Sequence, residues 1–158
     1  MRTVTRAWLG LGANLGDPIQ QLVDARIKLV DLPFVSAWQC SSMYVSSPVG
    51  YSDQADFINC VLALDVSVSA QDLFAQMQLI ETALGRVRVQ DNQNAPRSID
   101  IDLLMYGEYF IDEPDLVVPH PRMNQRLFVI EPLRQLGVRV EADQEIDFSD
   151  QHLHKLSI

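Results

Sequence analysis

Scarcity narrows this sequence before any motif is read. Of its 158 residues, two are cysteine and three are histidine. Cys40 and Cys60 stand in apolar segments without metal-ligand spacing, so they read as buried thiols of a reducing compartment, not as a disulfide or zinc framework. His120, His152 and His154 form no ligand cluster. Basic residues are few: 12 Lys and Arg against 21 Asp and Glu leave a net charge of −9, which argues against nucleic acid held on a broad basic surface. No apolar run approaches the ~18 residues of a membrane span. The first residues also lack the apolar core of a signal peptide, so a cytoplasmic chain without membrane contact is expected. With no repeat and no linker, residues 1–158 read as one domain, long enough to bury a core.

What is present concentrates in the stretch from Ala95 to Leu104. Ile99, Ile101 and Leu103 alternate with Ser98, Asp100 and Asp102, the pattern of a strand buried on one face. Asp100 and Asp102 then share the other face, with α-carbons about 6–7 Å apart. At that distance, and an effective dielectric near 20, the two charges repel by roughly 3 kcal/mol. A solvated strand face is the plain reading of a lone Asp-x-Asp. Mg²⁺, which takes carboxylate and phosphate oxygens together, would turn the repulsion into a binding site. Arg86, Arg88 and Arg97 lie just upstream and suit phosphate. Carboxylates for metal beside guanidiniums for phosphate point to phosphoryl-type transfer.

Along the chain, Trp8–Gly12 predicts a first strand, and Asp17-Pro18 an N-cap and first-turn proline. Ile19, Leu22, Val23, Leu29 and Val30 supply the helix's apolar stripe. Gly10-x-Gly12-x-x-x-Gly16 departs from the dinucleotide fingerprint and reads as a glycine-bearing strand-to-helix turn. Residues 34–46 predict a second strand, and Ile58, Cys60, Leu62, Leu64 and Val66 alternate as a third. Phe57 and Asn59 share its other face. An aromatic plate beside an amide suits a flat heterocycle, though taken alone it reads as ordinary packing. Ser69 and Asp72 resemble a capping box for a helix carrying Leu73, Phe74, Met77, Ile80 and Leu84, ended by Gly85. A polar loop follows over 86–96. Gly107-Glu108 predicts a tight turn folding Tyr109–Ile111 back as a hairpin, and a helix is expected over 122–136. The order strand, helix, strand, strand, helix, strand is that of an α+β ferredoxin-like sandwich, a mainly antiparallel sheet with helices packed on it.

Several motifs occur in one order: Leu9–Gly16, Ser47–Gly50 leading to Asp53–Asn59, Gly85-Arg86, Pro96–Leu103, and Val118–Met123 with Arg126 and Phe128 beyond. Over roughly residues 8–136 the chain thereby resembles the 6-hydroxymethyl-7,8-dihydropterin pyrophosphokinases of folate biosynthesis. The resemblance implies transfer of a diphosphate from ATP to the pterin's hydroxymethyl group, with release of AMP, by a cytoplasmic monomer. It implies Asp100 and Asp102 as ligands of two Mg²⁺ ions. Arg88, Arg97, His120 and Arg126 would contact phosphate or nucleotide, Arg88 and Arg97 at the reacting groups. Phe57 and Phe128 would sandwich the pterin, and Asn59 would read its edge with main-chain groups of Ser46, Ser47 and Val49. Gln78 and Glu81 fall on the adenine side. Two departures stand out. Asn94-Ala95 replaces a Trp-Gly used as a substrate lid, and Asp115 and Val117 stand where Arg and Thr are frequent. A paralogue acting on another pterin-like acceptor, or a non-catalytic binding module, are the competing readings.

Overall fold

Nine residues, Thr5–Ala13, form β1, the strand on which the rest of the sheet is assembled. The structure, a computed structural model, describes residues 3–47, 55–85 and 99–157. β4 (Phe57–Val66) runs antiparallel along one side of β1, from Thr5 opposite Val66 to Ala13 opposite Ile58. β5 (Asp100–Tyr106) runs antiparallel along the other. β2 (Val35–Cys40) and β3 (Tyr44–Ser46) both pair with β4, and β8 (Leu153–Lys155) adds an edge beyond β3. The six-stranded sheet therefore runs β5-β1-β4-β3-β8, with β2 also on β4. Its βαβ–βαβ framework is the expected ferredoxin-like sandwich, closed by α1 (Pro18–Val30) and α2 (Ala70–Ala83).

Alternation decides which face each residue serves. The odd positions of β1, Ala7 to Ala13, and the even positions of β4, Ile58 to Val66, pack with Ile101 and Leu103 against Leu22, Ala25 and Leu29 of α1 and Leu73 and Met77 of α2. Each fully buried leucine there stabilises the fold by about 1.5–3 kcal/mol. Ile19, expected in the stripe of α1, is 37% exposed, and Ala25 takes the buried position. Asp17 caps α1 by accepting from the Gln20 N–H, and Ser69 caps α2 by accepting from Asp72. The opposite face is partly covered by α3 (Leu127–Gln135), whose Val129, Ile130 and Leu133 pack on Val61, Leu104 and Val140.

Further expectations are corrected. The strand over 34–46 is two strands, because Ser41 N–H donates to the Val61 carbonyl while Ser41 Oγ accepts from the Val61 N–H. Cys40 faces Leu62 and Tyr44 faces Asn59, so four steps on this strand span three on β4, a bulge that turns Tyr44 and Ser46 to the other face. No hairpin folds back on β5: Gly107, at φ +53°, donates to the Arg6 carbonyl and Tyr109 N–H to Tyr106, which turns the chain away. The hairpin forms one step later, between β6 (Ile111–Glu113) and β7 (Leu116–Val118). The last helix starts at Leu127, not residue 122, because residues 121–124 form turns and Arg126 is extended. Cys60 is buried as expected, but Cys40 is half-buried. A hydrogen bond from the Cys60 thiol and the nearby Arg26 pull Cys40 down to about 7, against the opposing effect of burial. Among the described residues no helix is long and apolar enough to cross a membrane.

At the end of β1 remote from Ala13, Arg6 and Asp65 face each other across the strands and pair at 2.8 and 3.2 Å. Replacing Arg6 by Ala is expected to cost about 0.5 kcal/mol, since the pair is partly exposed and screened. The Arg6 hydrogen bond holds the Asp65 carboxyl below its ordinary range. Its stabilisation is therefore present above a pH of about 4 and lost as pH falls through the lower folded value. Urea titrations at neutral pH and at pH ~2.5 check this: the Arg6→Ala difference should shrink in acid.

Candidate functional site

The site face of the sheet is the one bearing Asp100, Asp102, Gly10, Gly12, Phe57 and Asn59. Asp100 pairs with Gly12 and Asp102 with Gly10. Gly12 in turn pairs with Asn59, and Asn59 with Tyr44. One row across the strands thus reads Asp100, Gly12, Asn59, Tyr44. Gly10 and Gly12 lie inside β1, as the strand expected over Trp8–Gly12 placed them. They leave the floor bare beside both carboxylates. At Gly12 the space is tight: a Cβ there would meet Asn59 Oδ1 at 2.8 Å.

Asn59, 5% exposed, donates through Nδ2 to Ser46 Oγ at 2.7 Å, so its amide is held beside Gly12. Phe57, half-buried, stands next to it on the same face and pairs with Ser46. Ser47 N–H donates to the His152 carbonyl at 3.3 Å. Asn14, a buried member of the first motif, donates to the Ala55 carbonyl at 3.2 Å and secures the entry to β4.

Two cation-forming side chains, Arg126 and His120, sense the charge of the carboxylate pair. The Arg126 guanidinium carbon lies 5.6 Å from the centre of the Phe128 ring. Burial pulls Arg126 down from its ordinary value, while Asp102 and Asp100 oppose that and favour its charge. His120 is likewise pulled down, chiefly by burial, then by Arg126 and Arg122, with Asp100 opposing. Its main-chain N–H donates to the Leu104 carbonyl at 2.8 Å, and its Nδ1 accepts from the Arg122 N–H at 3.1 Å. The neutral ring therefore carries its proton on Nε2, a donor available to an anion. Arg122 has no role in the sequence reading, although its place directly after Pro119-His120-Pro121 was the available signal. Its charge acts on both His120 and Arg126.

A cleft of about 240 Å³ opens beside Asp102, walled by Phe74, Leu103, Leu116, His120 and Pro121, with Pro114 at its rim. Asp115 and Val117, which together are the second of the two departures, are also in its wall. Gln78 and Glu81, one and two turns further along α2, are not among the wall residues; Gln78 is exposed and Glu81 is buried. Val49, Arg86, Arg88, Asn94 and Arg97 lie outside the described residues.

The donor set fits Mg²⁺. Two carboxylates stand on one strand face over a floor without side chains, and no third carboxylate, His or Cys joins them among the described residues. An ion that keeps several waters and takes phosphate oxygens needs no fuller protein cage.

Comparison of the chain with known proteins points to one family. A model of the 7,8-dihydro-6-hydroxymethylpterin-pyrophosphokinase family (HPPK) matches residues 8–138. The 2-amino-4-hydroxy-6-hydroxymethyldihydropteridine pyrophosphokinase of Pseudomonas aeruginosa is 40% identical over 134 residues, covering 85% of this chain and 82% of the relative. The enzyme of the same name from Bacillus subtilis is 37% identical over 145 residues, covering 92% and 86%. A crystal structure of Plasmodium falciparum HPPK-DHPS superposes with a TM-score of 0.64 at 12% identity, over 85% of this chain and 41% of that longer one. At that identity the last likeness concerns the fold alone.

Proposed function

Because this chain belongs to the 7,8-dihydro-6-hydroxymethylpterin-pyrophosphokinase family, we propose that the two halves of its site divide the work of moving a diphosphate from ATP to a dihydropterin. The protein is a pyrophosphokinase of folate biosynthesis with ATP as co-substrate. The hydroxymethyl oxygen attacks the β-phosphorus, the bond from that phosphorus to the α-bridging oxygen breaks, and AMP leaves. The hydroxyl proton passes to solvent or to a nearby carboxylate. Such a transfer depends on in-line placement and neutralised oxygen charge more than on a strong base.

The observation that carries the assignment of roles is the register of Asp100 and Asp102 against Gly12 and Gly10, with Arg126 near enough for both carboxylates to favour its charge. In this reading the pair holds two Mg²⁺ ions, which when bound neutralise phosphate charge. Arg126 and the Nε2–H of His120 bind phosphate oxygens, joined by Arg88 and Arg97. The cleft beside Asp102 takes the nucleotide, with Gln78 and Glu81 toward its base. Asn59, fixed by Ser46, presents its amide to the pterin edge, and main-chain groups of Ser46, Ser47 and Val49 complete that edge. A binding-only protein would have no use for paired carboxylates opposed by a guanidinium.

Mixing the protein with ATP, Mg²⁺ and 6-hydroxymethyl-7,8-dihydropterin should yield AMP, read by chromatography. ADP as the product, or no nucleotide turnover, would overturn the reading. Variants of Phe57 and Phe128 test the pterin half by itself. Alanine at either position should weaken pterin binding by about two- to twelve-fold, the ~0.5–1.5 kcal/mol of one aromatic contact. ATP affinity without pterin should stay at the wild-type value in the same calorimetric titrations. Equal losses for both ligands would mark the rings as core.

A further inference from the structure

The family match ends at residue 138, yet the segment beyond it is built into both halves of the site. Gln151 lies just ahead of β8, and its side chain bonds the main chain on both sides of Arg126. Its Oε1 accepts from the Leu127 N–H at 2.9 Å, and its Nε2 donates to the Gln125 carbonyl at 2.8 Å. Arg126 is the N-cap of α3 and its side chain makes no capping bond. Gln151 thus supplies from a distant part of the chain what Ser or Asn at that position supplies locally, an acceptor for an orphan N–H of the first turn. One residue on, the His152 carbonyl holds Ser47, and β8 then pairs Leu153 with Ser46.

We propose that Gln151 is a positioning residue, fixing Arg126 and Phe128 from one side while the residue after it fixes Ser47 from the other. The inference rests on the reading that Phe128 covers the pterin. The physical ground is preorganisation. A nine-residue helix frays at an uncapped first turn, and Arg126 precedes it in extended backbone. Two hydrogen bonds to the peptides flanking Arg126 set the direction in which its guanidinium and the Phe128 ring leave the main chain. A clamp ordered before binding spares the ligand the cost of ordering it.

The test is the dissociation constant of 6-hydroxymethyl-7,8-dihydropterin, measured with Mg²⁺ and a non-hydrolysable ATP analogue. The proteins are wild type, Gln151→Ala, Gln151→Glu, Phe128→Ala, the Gln151→Ala/Phe128→Ala double variant, and Arg6→Ala as a stability control. Gln151→Ala should weaken pterin binding about three- to ten-fold, the loss expected of a cap. Gln151→Glu keeps the acceptor for Leu127 but loses the donor to Gln125, so it should fall between. In the Phe128→Ala background the Gln151→Ala change should add little, because the two act through one ring. Arg6→Ala, at the opposite end of the strands, should leave the affinity unchanged. Wild-type affinity in both Gln151 variants overturns the proposal, as does a fully additive loss in the double variant, which would mark general loosening. Should Gln151→Ala not fold, Gln151→Glu carries the same comparison. Wild-type affinity in Phe128→Ala overturns the clamp reading and this inference with it, and that outcome is separate from the behaviour of Gln151 alone.

Discussion

Replacing Asp100 or Asp102 by Asn is expected to lower turnover on the order of a hundred-fold or more while the fold persists. Both residues lie on β5 at the bare strip of floor, where the only opposing positions on β1 are Gly12 and Gly10. Asparagine keeps size and shape but removes the anionic oxygen that a hard cation needs. The stability change should be small for a physical reason. Neutralising one carboxylate relieves its repulsion with the other and also forfeits attraction to Arg126, and both carboxylates are half-exposed. Opposed effects at such a position should leave the protein within about 0.5 kcal/mol of wild type. The measurements are AMP release under saturating substrates and a thermal melt. A variant keeping more than about a tenth of wild-type turnover, some 1.4 kcal/mol of barrier, would sink the metal-ligand role.

Gly12→Ala should be nearly as damaging, but to pterin binding. The added Cβ would stand 2.8 Å from Asn59 Oδ1, nearer than such atoms approach. Asn59 has little room to retreat, being buried and bonded to Ser46 at 2.7 Å. Either the amide rotates and loses that bond, or the strands part. Overpacking of this kind costs about 1–3 kcal/mol, so pterin affinity should fall roughly ten- to hundred-fold. Gly10→Ala is the matched control. Its Cβ would touch Leu104 at 3.5 Å, an ordinary contact, so pterin affinity should stay near wild type. Calorimetric titration of both variants with the dihydropterin decides the matter. Wild-type affinity in Gly12→Ala would show that Asn59 does not read the pterin.

The ferredoxin-like framework was legible in the chain because its signals are local. Ile58 to Val66 alternate, Asp17 and Ser69 cap helices whose apolar positions repeat at helical spacing, and Gly85 ends the second of them in the left-handed region at φ +90°. The Asp pair and its shared face followed from the same alternation, and the family followed from motifs kept in order. Where the strands were misread, the cause was non-local. The second strand looked continuous because the bulge at Ser41 exists only through its bonds to Val61. The expected hairpin moved because the turn at Gly107 closes on Arg6, a partner far away in the sequence.

The sequence by itself determined which groups this protein has to work with: paired carboxylates, arginines close to them in the chain, an aromatic beside an amide, and strands and helices enough for one sandwich. Tertiary structure alone decided how those groups meet. Gly10 and Gly12 were legible as strand residues, but only the register of β1 set them opposite Asp102 and Asp100, since a glycine's use depends on what approaches it. Ser46 reached Asn59 only because one inserted residue reverses the side a strand presents. The tail after Gly137 has little local pattern, yet its β8 extends the sheet beyond β3 and its Gln151 caps α3. Backbone hydrogen bonds to a neighbouring strand or helix end are indifferent to side-chain periodicity, so no reading of that segment by pattern alone could have placed it.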